Sequence, residues 1–335
     1  MAMPTLAALR QHLRQTHITV MVPRPLKPII TPNPWADRIV THADRMRRLA
    51  PRLAQGGFDT VVLLPNSFRW AMVARLARIG RRIGYDRDWR GWLLTDPLLP
   101  RRDKRGFVKV PTRDYYLGIA RYLGMHQPDP TMRLFTRPAD DAEADALLSR
   151  AGYDPHDARP LVLLNPGANY GDAKMWHPER FAAVADMATH QLDAVVAVSG
   201  APKERAILDR VIAAAHSPIL DLPALGLKLR LLKSVVRRAT VMITNDTGPR
   251  HIAAAMGTAV VTIFGPTDPK WTEIGFAHER QVMLDVPCGP CQLKRCPLDH
   301  RCMNWLEPER VFEKVAELVA QRTPGPVRQR KAMGT

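Results

Sequence analysis

Short apolar runs recur along the chain, each closed by a polar or glycine-bearing turn and usually followed by a segment of helical period. "HITVMV", "FDTVVLLPN", "PLVLLNPG", "LDAVVAVSG", "ATVMITND" and "AVVTIFGP" read as short buried strands. "SFRWAMVARLARIG" and "GPRHIAAAMG" read as the helices that follow two of them. Strands alternating with helices in this way predict βα units on a parallel sheet, an α/β fold. Between Pro138 and Pro160 one helix, "DDAEADALLSRAG", precedes a polar, proline-flanked stretch. The junction between two domains is expected there: residues 1–150, then residues 151–322, with 323–335 as a disordered basic tail.

Composition changes this picture little, and charge changes it more. A chain of 335 residues with 46% hydrophobic positions is long enough for two packed cores. It contains no run near the roughly 18 apolar residues of a membrane span, and its N-terminus lacks an apolar signal core, so a cytoplasmic location is expected. Lys and Arg number 49 against 32 Asp and Glu, a formal charge of +17. An anionic partner follows, whether a nucleotide, a phosphorylated glycan or a lipid headgroup. Nucleic acid is not favoured, because the basic residues lack interleaved aromatics or a recognition-helix signature.

Two loops carry the candidate chemistry. In "LLNPGANYGDAKMWHPERF" a strand ends in a turn with Gly167 and Gly171, Lys174 follows, and Pro178 with Glu179 opens a helix. Exposed N–H groups, a helix N-terminus and one mobile cation together suit a phosphate or diphosphate; a plain βα turn with a solvated lysine is the alternative. In "VMITNDTGPRHIAAAMG" a strand is followed by Asp246, Thr247 and Gly248 at a second helix start, with His251 one turn in. Asp246 or Thr247 is either an N-cap or part of a second phosphate contact. Two such loops in one half of the chain favour a nucleoside diphosphate site.

Together, "NPGANYGDAKMW", "NDTGPRHIAAAMG", "IFGPTDP", "LLPNSFRWAMVARLARIGRRIGYDRDWRGWLLT" and "CGPCQLKRCPLDHRCM" resemble glycosyltransferase family 9, in the heptosyltransferase II group. The resemblance runs from about Pro4 to about Val319. It implies a GT-B architecture, two Rossmann-like domains facing a cleft, and an inverting transfer of heptose from ADP-heptose to the lipopolysaccharide inner core at the inner face of the inner membrane. No further cofactor is implied. The donor side would comprise Lys174 on the diphosphate, Asn169 and Tyr170 before it, Asp246, Thr247, Gly248 and His251 in the second loop, and Glu204 near the ribose. The acceptor side would comprise Asn66, Ser67, Arg69 and Arg90.

The family pattern begins with a strand and a glycine-aspartate loop, and that aspartate is the expected general base. Here the matching region precedes Met1, so no catalytic residue is assigned and the first domain is expected to lack its first strand. Either an upstream start was missed, or this is a short form impaired in catalysis. Cys288, Cys291, Cys296 and Cys302, with His300 among them, are spaced like zinc ligands; reduced thiols or disulfides are the other readings. Two rival functions remain: a family 9 transferase of another sugar, and a non-enzymatic, zinc-stapled protein that binds anionic ligands.

Overall fold

The computed structural model describes residues 1–42, 46–104, 106–168 and 171–321. It divides into two compact units, one of Met1–Arg137 with Asp268–Gly275, the other of Pro138–Thr267 and the chain from Phe276 on.

The first unit runs α1 (Met3–His12), β1 (Thr19–Pro23), α2 (Lys27–Ile30), β2 (Arg38–His42), α3 (Met46–Gln55), β3 (Thr60–Leu63), α4 (Phe68–Leu76), β4 (Arg81–Tyr85) and β5 (Asp96–Leu98). A small hairpin, β6 (Arg102–Asp103) with β7 (Gly106–Phe107), leads into α5 (Thr112–Tyr122). Its parallel strands form two separate sheets, β1-β2 and β3-β4-β5. Met21 of β1 and Val61 of β3 pack on one cluster with Leu49, Val73 and Ile79, yet the two strands are not paired. Asp268–Gly275 is fastened to this unit by Lys109 Nζ on Asp268 (2.6 Å) and by Thr112 Oγ1 donating to Trp271 O (3.0 Å).

The second unit contains α6 (Pro138–Arg150), β8 (Leu161–Asn165), α7 (Pro178–Leu192), β9 (Val195–Val198), α8 (Arg205–Ala214), β10 (Ile219–Asp221) and α9 (Leu229–Arg238). It continues with β11 (Val241–Asn245), α10 (Gly248–Met256), β12 (Ala259–Phe264), β13 (Glu279–Met283), α11 (Arg301–Asn304) and α12 (Pro308–Gln321). Helix α6, assigned from sequence to the first half, packs in the second unit. Its Asp140, Asp141 and Asp145 meet Arg230, Arg237 and Arg238 of α9 at 2.6–2.7 Å. The six strands form one parallel sheet in the order β10-β9-β8-β11-β12-β13. Every residue of β8, β11 and β12 is buried, as strands covered on both faces must be. Trp176 and Phe181 close one face of that core over Val162, Leu164 and Ile243.

This order reverses between β8 and β11, which are hydrogen-bonded neighbours with Thr244 opposite Asn165. At such a switch point the connections leaving the two strands diverge and open a crevice at their carboxyl ends. Both loops singled out in the sequence leave from these two strands. In the first unit β2-β1 and β3-β4-β5 match the two wings of this order. The central position that β8 fills has no strand among the described residues.

Candidate donor site

Asn245, the last residue of β11, joins the two loops. Its Nδ2 donates to Pro166 O (2.7 Å), and its Oδ1 accepts from the Trp176 N–H (3.2 Å), so it grips the first loop on both sides of Lys174. Gly167 lies so close to Glu204 that a Cβ there would stand 2.2 Å from the carboxylate. A side chain there would have to push the Glu204 carboxylate aside. Glu204 is held in turn by the Ala201 N–H on its Oε2 (2.7 Å). Gly171 is more strictly required, because a Cβ there would meet backbone, Lys294 O at 2.4 Å.

Lys174 ends a short 3-10 turn (Asp172–Lys174), nearly buried, with Nζ on Asp246 Oδ2 (2.8 Å) and Asp246 O (3.0 Å). The Asp246 carboxylate also accepts from Thr267 Oγ1 (3.0 Å) and Arg250 Nη1 (3.2 Å). Arg250, fully buried, passes its charge on to Glu279 through two bonds of 2.6 and 3.0 Å, and Thr262 Oγ1 donates to the same glutamate. Burial by itself raises the Asp246 pKa, but Lys174, Arg250 and Thr267 outweigh it and hold the carboxyl below its ordinary value. The result is a buried chain of alternating charges, Lys174, Asp246, Arg250, Glu279, that fixes the lysine beside the start of α10.

That start is open. Thr247 is the extended N-cap residue, its hydroxyl 3.4 Å from that of Thr244, and a Cβ built on exposed Gly248 meets nothing within 4 Å. His251 is half-buried with its Nδ1 buried and without a hydrogen-bond partner. Burial, then the charge of Arg250, pushes its imidazole down to about 3, so it is neutral at physiological pH. A cation, the N–H groups of a helix N-terminus and a neutral histidine can bind an anion and stabilise charge that grows on it.

The glycosyltransferase family 9 (heptosyltransferase) model matches residues 46–301, across both units and both loops. The chain belongs to glycosyltransferase family 9. It is 33% identical over 170 residues to lipooligosaccharide heptosyltransferase 2 of Campylobacter jejuni, covering 49% of this chain and 52% of that one. The chain thus spans about half the length of that relative. Against lipopolysaccharide heptosyltransferase 2 of Salmonella typhimurium it is 24% identical, over 93% of this chain and 92% of the other. Among solved structures, E. coli ADP-heptose lipopolysaccharide heptosyltransferase II superposes with a TM-score of 0.77 at 23% identity, covering 96% and 94% of the two chains. The fold is that of the GT-B heptosyltransferases, built from two Rossmann-like units.

Within this family frame, the second unit brings together Lys174, Asp246, Thr247, Gly248 and His251, with Glu204 against Gly167. Asn169 and Tyr170 lie outside the described residues. Three participants were not legible as such. Arg250 had a signal, since it stands four residues after Asp246, the spacing of neighbours on one helix face. Asn245 and Thr267 had none, because their partners come from other strands' loops.

On the first unit, Asn66 Oδ1 accepts from Tyr115 Oη (3.1 Å) and Arg90 Nη2 (3.3 Å). Asn66, Arg87, Arg101, Thr112, Tyr115 and Tyr116 line part of a cavity of about 250 Å³. Arg69 is exposed, its guanidinium 5.5 Å from the Trp70 ring centre. Ser67 precedes α4 without capping it through its side chain. Arg90 is fully buried and donates to Tyr85 O (2.9 Å), Pro65 O and Ser67 O (3.4 Å), so it builds the loop instead of facing a ligand.

The cysteines are free thiols, and among the described residues no group of three or more His, Cys, Asp or Glu is placed to hold a metal. Burial and the neighbouring thiols push Cys302 up to about 11. Their segment braces the lysine turn instead: the Ala173 N–H donates to Lys294 O (3.2 Å), and His300 Nε2 donates to Ala173 O (2.8 Å). No described helix is long and apolar enough to cross a membrane.

Proposed function

We propose that this chain transfers heptose from ADP-heptose to the inner core of lipopolysaccharide, with inversion, at the cytoplasmic face of the inner membrane. The observation that carries the reading is Lys174, locked by Asp246 beside the open N-terminus of α10 on the switch-point strands. The donor diphosphate competes with Asp246 for the ammonium, and the N–H groups of Thr247 and Gly248 meet the phosphate oxygens. Asn169 and Tyr170 belong to the same loop, Glu204 takes the ribose hydroxyls, and neutral His251 backs the site without adding charge. On the acceptor side the candidates are Asn66, Ser67 and Arg69, with Arg90 positioning the loop between them.

The chemistry follows the charges. As the bond from the anomeric carbon to the diphosphate oxygen breaks, its electron pair leaves with ADP. The acceptor hydroxyl oxygen bonds to the opposite face of that carbon and passes its proton to a general base, a role to which no residue of this chain is assigned. Negative charge therefore grows at the diphosphate, where fixed cations and N–H dipoles bind the transition state better than the ground state. Calorimetry tests the donor half: ADP should bind the full chain, and Lys174→Ala should weaken it at least tenfold. Absence of heat at millimolar ADP would sink the assignment. Mass spectrometry of a delipidated core acceptor, mixed with ADP-heptose or with other sugar nucleotides, tests which sugar moves.

A further inference from the structure

The loop joining β4 to β5 in the first unit is built in a way that the donor reaction does not use. Asp88 and Trp89 both hold left-handed backbone, with φ of 56° and 60°. Aspartate enters that region readily, but a side chain as bulky as tryptophan does so only where its surroundings hold it. Next to them Arg90 anchors the loop, its guanidinium buried on backbone carbonyls of residues 65, 67 and 85. What this anchored turn presents is Trp89, 92% exposed, followed by Trp92 at 62%.

Trp92 does not stand alone. Its ring lies 6.2 Å from that of Phe68, and the Arg75 guanidinium is 5.8 Å from its centre. Phe68, Arg75 and Leu76 share the outward side of α4, whose opposite side buries Ala71, Val73 and Ala74. Leu76 is 60% exposed. Arg75 and Arg78 are exposed beside it, and from Phe68 to Trp92 the sequence holds seven arginines and two aspartates. Large apolar side chains held out in water within a positive field fit one kind of partner. Tryptophans favour the headgroup level of a bilayer, and arginines there meet anionic lipid.

We propose that this surface, Trp89 and Trp92 with Phe68, Leu76, Arg75 and Arg78, docks the first unit on an anionic lipid surface. Arg87 of the same loop lines the cavity and lies over the Phe107 ring at 4.0 Å. Docking through the loop therefore sets the cavity close to the membrane plane. Since vesicle binding needs no donor, its outcome is independent of the transfer reading.

The test is sedimentation of the full chain with vesicles of phosphatidylglycerol and phosphatidylcholine, and with phosphatidylcholine alone. The wild type should bind the anionic vesicles, and acyl-brominated lipid should quench its tryptophan fluorescence. Trp89→Ala with Trp92→Ala should lower partitioning about tenfold or more and remove most of the quenching. Arg75→Glu with Arg78→Glu should lower binding similarly and flatten its dependence on salt. Because all four residues are exposed, melting curves should not change. Equal partitioning of wild type and the tryptophan variant, or no binding of wild type to anionic vesicles, would overturn the proposal. So would binding of a soluble protein at Trp89 without any binding to vesicles.

Discussion

The two units share a plan and differ at its centre. In the second, β8 stands between β9 and β11, and all five of its residues are buried. In the first, β1 and β3 each present an unpaired edge among the described residues; three of four positions in β3, and all of β1, keep some exposure. Apolar sequence is present in both, "TVMVP" and "TVVL" as much as "LVLLN". A parallel strand is buried by its two neighbours and the helices laid over them, so an interrupted sheet leaves similar residues wetter. The second unit thereby frames its crevice with paired, buried strands, and the first ties its loops with local devices such as the buried Arg90.

The largest expected effect lies in the charge chain of the second unit. Arg250→Met should destabilise that unit by about 3–5 kcal/mol, because it leaves the buried Glu279 unpaired. Urea unfolding followed by hydrogen exchange, which reads the units separately, measures it; a change within 1 kcal/mol would mean that Glu279 had found another partner. Lys174→Ala should reduce transfer by roughly ten- to a thousandfold, the range for a contact strongest in the transition state. Unchanged turnover and ADP affinity would reduce the lysine to a structural partner of Asp246.

A matched pair of substitutions sharpens the contrast between the sheets. Leu164→Ala, in fully buried β8, should cost about 2–5 kcal/mol. Val20→Ala, in half-buried β1, should cost about 1 kcal/mol or less. Similar costs would mean that β1 is buried in solution. Without any substitution, backbone amides of β1 and β3 should exchange faster than those of β8 and β11; equal protection would contradict the open edges.

The smallest effect is acid sensitivity at Asp246. Its folded pKa lies below the unfolded value of about 3.9, so its stabilisation is complete above that value and is lost as pH falls through the folded pKa. Asp246→Asn should flatten this acid limb in the second unit's urea midpoint. An unchanged limb would place the titration elsewhere.

Sequence alone determined the alternation of strand and helix, the two loops with Lys174 and Asp246, and the turn glycines Gly167 and Gly171. These are local matters of period, turn chemistry and helix starts. It also read β1, β3, β8, β9, β11 and β12, whose apolar runs were continuous. It did not read β2, β4, β5, β10 or β13, because strands such as "RRIGY" and "ERQVM" open on charged residues that interrupt the apolar run, even where the fold buries them, as it does the Glu279 side chain. Only the tertiary structure decided that Lys174 is tied to Asp246, that Asn245 and Thr267 complete the site, and that Arg90 lies inside the first unit. Each depends on residues from separate strands meeting at the end of a sheet. The sequence carries the side chains, while the order of the strands decides which of them meet.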